Sequence, residues 1–335
     1  MVSRRDFARL LLGGAALAAG GASAFAQGRK IDSTVAGVRL GVCLYNFRDL
    51  PRPADQQAYI DLLIDACVRS GGGLVEVNSN YLEPRNDLPF AGIPRIQDWQ
   101  PKPAPGAPTP KWMTMPREEL LAQREALRRW RIDTPASYHE GVRRKIEAAG
   151  LAPYSFVITF TPDMTDEEID AVFRQARSLG VSVFSTNQTK VELGPRLVPF
   201  ADRYGMEIGF HNHTQVLNPN EVAAPDTFER LFALSPRFKA NLDVGHYTAA
   251  NLDALDFLKR FPDRITHLHM KDRKRNEGPG TVWGEGDAPL REMLLTIRDR
   301  RLPIPCIVEY EYRGAGTSVE ETIRCLDYMR RVLRS

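Results

Sequence analysis

A chain of 335 residues with 43% hydrophobic and 26% charged residues has an ordinary globular composition, which excludes disorder as its main state. Lysine and arginine number 45 against 42 aspartates and glutamates, so the formal charge is only +3. This near balance lacks the basic excess with which proteins hold a phosphate backbone. Nucleic acid is therefore not expected as a partner, and small molecules are.

The first 26 residues have the features of an export signal. Ser3-Arg4-Arg5-Asp6-Phe7 precedes an apolar run rich in Ala, Gly and Leu, which closes on Ala24-Phe25-Ala26. This order predicts a twin-arginine signal peptide and a periplasmic protein. The apolar run is too short and too diluted by glycine for a membrane span of about 20 residues, so we expect no stable membrane insertion after signal removal.

After a linker at 27–37, residues 38–335 alternate short runs rich in Val, Ile and Phe with longer segments of helical period. This alternation predicts βα units around a parallel sheet. Eight strands predict a single α/β domain, a closed (β/α)8 TIM barrel. The strands are expected at Val38–Tyr45, Gly73–Asn78, Pro153–Phe160, Ser182–Asn187, Glu207–His213, Lys239–Val244, Ile265–Lys271 and Pro305–Tyr310. Helices are expected at 55–70, 137–149, 166–180, 195–204, 226–234, 252–261, 288–299 and 319–333. Thr165 and Glu168 predict a capping box before the third of these helices.

Residues 81–116 interrupt this rhythm after the second strand. They hold nine prolines, together with Trp99 and Trp112, and show neither a helical nor a strand period. A helical pattern at Arg117–Arg131 follows. An insertion at this point emerges at the face where barrel enzymes keep their active sites, so it predicts a lid, with a surface excursion packed by its own aromatics as the alternative.

Four cysteines lie far apart, at Cys43, Cys67, Cys306 and Cys325, with no CxxC spacing. Their apolar surroundings predict buried free thiols. A disulfide between Cys43 and Cys306 stays open as an alternative, because these residues fall on the first and last strands of the predicted barrel.

Five of the six histidines fall near the ends of predicted strands, and the sixth, His139, lies on a helix. The strand ends meet at one rim of a closed barrel, so these five should converge. They are His211, His213, His246, His267 and His269.

Strands five to eight each offer a ligating side chain, in the order His, Asp, His, Glu. The pairs His211/His213 and His267/His269 are two residues apart, so the members of each pair point to the same side of a strand. Asp243 and Glu309 supply the carboxylates. A mixed nitrogen and oxygen set favours Mn, Co, Fe, Zn or Ni over calcium.

The motifs in their order resemble the xylose isomerase-like TIM-barrel superfamily, which includes the sugar phosphate isomerases/epimerases and AP endonuclease family 2. The motifs are Phe-His-Asn-His, Leu-Asp-Val-Gly-His, His-Leu-His-Met-Lys-Asp, Gly-Glu-Gly-Asp and Val-Glu-Tyr-Glu. The resemblance covers nearly the whole chain after the signal and is clearest over 136–333.

The resemblance implies a divalent metal on four residues: His211, Asp243, His269 and Glu309. The family's epimerases have a glutamate where this chain has His211, and they use two metal-bound glutamates as paired bases. The His-Asn-His form is similar instead to the inosose dehydratase-like branch. A single-base isomerisation or an elimination therefore competes with a two-base proton exchange.

The remaining site residues follow from the resemblance and from their chemistry. Glu309 is the expected base, and Lys271 is expected to steady an enolate oxygen. His246 and Arg275 match family residues that contact substrate. Glu76 is either a second acid/base or a structural carboxylate. Substrate contacts are also expected from His213 and from Glu285, which lies in a glycine-rich loop.

The function expected from these features is a metal-dependent isomerase or epimerase of an unphosphorylated keto-sugar, acting by proton abstraction next to a carbonyl. The alternative is a lyase or dehydratase of a keto-polyol or 3-keto-glycoside. A non-catalytic periplasmic sugar-binding protein is the alternative of another class. The near-neutral charge opposes a DNA endonuclease, and a homo-oligomer is compatible with the sequence.

Overall fold

The computed structural model describes residues 30–89 and 109–335. The predicted signal peptide, residues 27–29 of the linker and residues 90–108 of the predicted insertion lie outside this range. Within the described ranges, no helix combines the length and the apolar character needed to cross a membrane.

Eight parallel strands form a closed barrel, because β1 pairs with β2 on one side and with β8 on the other. All eight predicted strands are confirmed, each to within two residues of its expected bounds. They are β1 (Val38–Cys43), β2 (Leu74–Asn78), β3 (Ala152–Ile158), β4 (Val183–Thr186), β5 (Glu207–His211), β6 (Phe238–Asp243), β7 (Ile265–Met270) and β8 (Cys306–Val308). A two-residue strand, Thr34–Val35, forms a hairpin with β1, so part of the predicted linker is ordered.

Every predicted helical segment contains a helix. The helices are α1 (Gln56–Ser70), α2 (Ser79–Leu82), α3 (Lys111–Thr114), α4 (Arg117–Asp133), α5 (Ala136–Ala148), α6 (Asp166–Ser178), α7 (Gly194–Tyr204), α8 (Pro225–Leu234), α9 (Val244–Ala249), α10 (Ala254–Arg260), α11 (Leu290–Asp299) and α12 (Ser318–Arg334).

The strands are buried on both faces, as expected when helices cover the outside of a parallel barrel. All six residues of β7 are buried. Polar side chains that point into the barrel are therefore shielded from water and need partners inside it.

The four cysteines are free and buried, which confirms the expectation of buried thiols. Cys306 lies opposite Leu40 of β1, three residues before Cys43. The two candidate partners are thus on neighbouring strands but at different levels, and no disulfide joins them.

The predicted capping box at the start of α6 is only half formed. The Thr165 side chain accepts a hydrogen bond from the backbone N–H of Glu168 at 3.2 Å. The Glu168 carboxylate does not return to Thr165, because it is fully buried and accepts hydrogen bonds from Arg124 and Arg131 of α4. Buried arginines compete for this carboxylate more strongly than a solvent-accessible backbone N–H does.

Helix α4 is fixed to the barrel by this buried ion network. Arg131 donates to Glu83 at 2.8 Å and to Glu168 at 3.0 Å, and Arg124 donates to Glu168 at 2.6 Å. All four side chains are buried. The helix that follows the insertion is thus a wall of the barrel held by charge pairs.

We expect Arg131→Met to destabilise the fold by about 3–5 kcal/mol. The change leaves the buried carboxylate of Glu83 unpaired and removes one of the hydrogen-bond donors to buried Glu168. The free energy of unfolding in urea measures this loss. Arg129→Met is the matched control on the same helix: its partner Glu125 and Arg129 itself are exposed, so the cost should be below about 1 kcal/mol. Equal stability of the Arg131 variant and the unmodified chain would contradict the expectation.

His139 of α5 is a buried imidazole without a polar partner among the described residues. Neither ring nitrogen has a hydrogen bond. The ring packs edge-on against Trp130, Tyr138 and Phe156. Burial lowers the pKa of His139 to about 4, so the ring stays neutral in the folded protein at neutral pH.

We expect His139 to make the fold sensitive to acid. Its pKa is about 6.5 in the unfolded chain and about 4 in the folded one. The unfolded chain therefore gains a proton first as the pH falls, and stability drops by up to about 1.4 kcal/mol per pH unit in that window. Urea unfolding of His139→Phe between pH 7 and pH 4 should lack this component. An unchanged pH slope would show that other groups cause the acid loss.

Candidate metal centre

Four neighbouring strands bring four ligating side chains together at the carboxyl end of the barrel. His211 ends β5, Asp243 ends β6, His269 lies near the end of β7, and Glu309 follows β8. One ligand atom from each lies within 4.8 Å of the others, and all four residues are buried. The structure thus brings the four predicted ligands to one point.

Two of these side chains carry buried polar atoms without hydrogen bonds. Both ring nitrogens of His211 and Oδ2 of Asp243 are in this state. His211 Nε2 lies 3.5 Å from Asp243 Oδ2 and 3.6 Å from Glu309 Oε2, which is too long for a good hydrogen bond. Buried polar atoms that converge without bonding one another fit a site for a shared cation.

The donor set fits a transition metal or zinc. Two imidazoles and two carboxylates give mixed nitrogen and oxygen ligands, which suit Zn, Mn, Fe, Co or Ni better than calcium or magnesium. Asp243 uses its other oxygen, Oδ1, to accept the backbone N–H of His246 at the start of α9. This cap fixes the carboxylate and leaves Oδ2 for an ion.

Lys271 places a buried ammonium beside the same cluster. Its Nζ lies 3.1 Å from Asp243 Oδ2, 2.9 Å from Glu309 Oε2 and 2.7 Å from Glu311 Oε2. Burial disfavours the charge, but these carboxylates outweigh it and raise the pKa of Lys271 well above its usual value. Lys271 therefore stays protonated in this environment.

Glu76 lies inside the barrel next to the cluster. It belongs to β2, far from β5–β8 in the sequence. It is fully buried and contacts His267 at 2.7 Å and His269 at 2.5 Å. Burial opposes its ionisation, but His269 and His267 hold its pKa well below the usual range. The carboxylate is ionised and surrounded by donors.

His213 and His246 lie at the cleft beside the cluster, as predicted for substrate contacts. Their ring centroids are 5.0 Å apart, and that of His213 is 4.9 Å from His211. Burial lowers the pKa of His213 to about 3, and burial with Lys271 lowers that of His246 well below 6.5. Both rings are neutral, but the Nε2 atom of His246 already contacts Lys271 Nζ at 2.9 Å, so only His213 is open to a hydroxyl group.

Arg273 is a neighbour of the site that sequence reasoning missed. Its guanidinium contacts His246 Nδ1 at 2.6 Å and donates to the carbonyl oxygen of Gly278 at 2.7 Å. The resemblance pointed to Arg275, which is exposed and does not line the cleft. The signal that could have found Arg273 is its alternation with Lys271 along an extended segment.

The glycine-rich loop also differs from expectation. The amides of Gly284 and Gly286 donate to the Asp272 carboxylate at 2.8 and 3.0 Å, so they stabilise the loop itself. A Cβ on Gly286 would lie 1.8 Å from Asp272 Oδ1, which explains the glycine. Glu285 between them is exposed and does not line the cleft, so the structure does not bring it to the cluster.

A cleft of about 380 Å³ extends from the four candidate ligands to α4. Its walls include Glu309 and His246 at one end and Leu127 and Arg131 at the other, with Leu88 from the start of the predicted insertion. The described N-terminal end of the insertion therefore forms part of the cleft. The lid prediction itself falls mainly on 90–108, outside the described residues.

The fold is a closed (β/α)8 barrel, and its C-terminal part is similar to the family that the sequence resemblance predicted. Residues 194–331, which carry all four side chains of the cluster, match the family described as "Xylose isomerase-like TIM barrel". Among sequence relatives, an inosose dehydratase from Clostridium perfringens is 24% identical over 155 residues, which is 40% of this chain and 51% of the relative. The chain thus spans about half the length of this curated relative.

Solved structures share the fold over most of the chain. A sugar phosphate isomerase/epimerase from Parabacteroides distasonis superposes with a TM-score of 0.55 at 16% identity, over 88% of this chain and 97% of that one. The IOLI protein with a bound zinc atom superposes with a TM-score of 0.54 at 13% identity, over 88% and 96%. At this identity the likeness shows the fold alone.

We expect the purified protein to carry one divalent metal ion per chain, because four ligating side chains converge and the buried His211 ring has no hydrogen bond. Elemental analysis after gel filtration measures the content. His211→Ala should lose the metal, since it removes one of four ligands. His139→Phe, a change at a buried histidine far from the cluster, should keep it. Full metal content in the His211 variant would contradict the assignment.

Proposed function

We propose that this chain is an exported, metal-dependent sugar isomerase that acts on an unphosphorylated keto-sugar or related carbohydrate by removing a proton next to a carbonyl. The observation that carries the proposal is the cluster of His211, Asp243, His269 and Glu309 at the base of a cleft. A divalent ion held by these residues would act as a Lewis acid that polarises the carbonyl and stabilises the enediolate.

Glu309 is suited to act as the base. Burial opposes its ionisation, but Lys271 and His269 hold its pKa well below the usual range, so it is a carboxylate. Among the described residues, His211, His269 and Lys271 all approach this carboxylate at Oε2. Oε1 is left to take the proton from the substrate carbon and return it to the neighbouring carbon on the same face.

Lys271 and the two neutral histidines assist from the rim. The Lys271 ammonium supplies a positive charge where an enediolate oxygen develops negative charge. His213 faces the same cleft and can hold a substrate hydroxyl group, while His246 contacts Lys271 Nζ at 2.9 Å and so positions the ammonium. One base and one electrophile are enough for an isomerisation in which the proton stays on one face.

The charge pairing of the cleft favours an unphosphorylated substrate. Arg124 and Arg131 line the cleft, but buried carboxylates of Glu83 and Glu168 neutralise them. Arg52, also in the cleft wall, donates to the side chain of Gln56 and to the carbonyl oxygen of Glu83. Lys271 is likewise surrounded by three carboxylates. Cations committed in this way are poor receptors for phosphate. The predicted export signal points to the same substrate class.

We expect the metal-loaded protein to move solvent deuterium into an unphosphorylated ketose incubated in deuterated water. Deuterium should appear at the carbon next to the carbonyl, without loss of water, and mass spectrometry with proton NMR measures this. Glu309→Gln should slow the exchange at least about 100-fold, because it removes the base.

Glu292→Gln, an exposed change on α11, is the matched control and should exchange like the unmodified chain. Metal content is measured in both variants, so that loss of the base is separated from loss of the ion. Sugar binding without exchange in the loaded protein would favour a non-catalytic sugar-binding protein.

Elimination is the second candidate, and His211 favours it. Where the resemblance expects a second metal-bound glutamate, this chain supplies an imidazole, so two carboxylate bases are not available on opposite faces. After proton removal by Glu309, the Lys271 ammonium could protonate a departing hydroxyl or glycosidic oxygen. Loss of water is also the reaction that the name of one sequence relative, inosose dehydratase, indicates. An unsaturated keto product in the deuterium experiment would select elimination over isomerisation.

A further inference from the structure

Glu76 is engaged with three donors inside the barrel. His267 Nε2 lies 2.7 Å from its Oε2, and Ser155 Oγ donates to the same oxygen at 2.7 Å. His269 Nε2 lies 2.5 Å from Oε1. The side chain is fully buried. Both carboxylate oxygens are thus occupied by residues of the barrel.

These contacts set the orientation of the His269 ring. Its Nε2 lies 2.5 Å from Glu76 Oε1, so this nitrogen is held at Glu76. The other nitrogen, Nδ1, then faces Glu309 Oε2 at 3.0 Å, toward His211 and Asp243. A histidine that ligates a metal through one nitrogen commonly donates its other N–H to a carboxylate, which is the arrangement seen here.

The alternative orientation would create a different site. Ligand atoms of Cys43, Glu76 and His269 also lie within 4.8 Å of one another. In that group Nε2 of His269 would be a ligand, so the 2.5 Å contact between this nitrogen and Glu76 Oε1 would have to break. It would also use the Cys43 sulfur, which donates to Asn78 at 3.3 Å.

We propose that Glu76 is a positioning residue that holds His269 with Nδ1 toward His211, Asp243 and Glu309, and so selects this group over the Cys43 group for the metal. Glu76 exchanges no proton with substrate. The proposal rests on the proposed function only for its activity readout, because its main readouts are metal affinity and tautomer.

The test uses the full chain with Zn(II) as the probe. Glu76→Gln should weaken zinc binding roughly 10- to 100-fold, measured by competition with a chromophoric chelator. Nitrogen-15 spectra of histidine-labelled protein should show Nε2 of His269 protonated in the zinc-loaded unmodified chain. Ser155→Ala, which removes another donor from the same carboxylate, is the matched control and should leave zinc affinity unchanged.

Cobalt substitution gives a second readout that needs no variant. The cobalt-loaded protein should lack a thiolate-to-cobalt charge-transfer band, because Cys43 is not a ligand. A thiolate band, or a lone pair on Nε2 of zinc-loaded His269, would overturn the proposal even if Glu76→Gln fails to fold. So would a Glu76→Gln variant that binds zinc normally but loses turnover, since that result would make Glu76 an acid or base.

Failure of the proposal and failure of the proposed function are distinguishable. If no sugar exchanges deuterium in the unmodified chain while Glu76→Gln still weakens zinc binding, the proposed function is wrong and the role of Glu76 stands. If exchange occurs and zinc affinity is insensitive to Glu76, the reverse holds.

Discussion

Buried negative charge at the carboxyl end of the barrel is the constraint on which the site depends. Glu76, Asp243 and Glu309 are buried there, and Glu311 borders them. An unpaired buried carboxylate costs several kcal/mol, so each needs a positive partner or a hydrogen-bond donor. Lys271 and the histidines supply part of this, and the convergence of Asp243, Glu309 and two histidines marks the place for a further cation. The protonation of Lys271, the orientation of His269 and the place for a metal ion therefore all depend on the same buried carboxylates.

The fold was largely predictable because its signal is local. Each strand is a short apolar run and each helix has its own period, so the count of eight and the closure of the barrel follow from segments read one at a time. The convergence of His, Asp and Glu side chains was predictable because strand ends meet at one rim, and the family resemblance chose the four candidate ligands among them. Closure of the barrel brings the carboxyl ends of all its strands together, so this convergence can be inferred without knowing any single side-chain contact.

Contacts between distant side chains were not predictable. Glu76 meets His269 from a position 193 residues away, and the sequence left its role open. Glu168 looks like half of a capping box until two arginines of another helix are placed beside it. Arg275 matched a spacing, yet Arg273 reaches His246, because the direction of a side chain in an irregular loop depends on local backbone angles. Glu285 was expected to contact substrate, but the amides of Gly284 and Gly286 on either side of it donate to Asp272 and leave Glu285 exposed.

The attachment of α4 limits how this barrel can change its substrate during evolution. The helix forms one wall of the cleft, and Glu168 joins it to the barrel through two buried arginines. Any shift of α4 would leave several buried charges without partners unless those residues changed together. Single substitutions rarely achieve this. Residues 84–89 approach the same cleft without such a network, since the hydrogen bonds and the ion pair there involve exposed or half-buried residues. Divergence toward new carbohydrates should therefore accumulate in that segment while α4 stays unchanged.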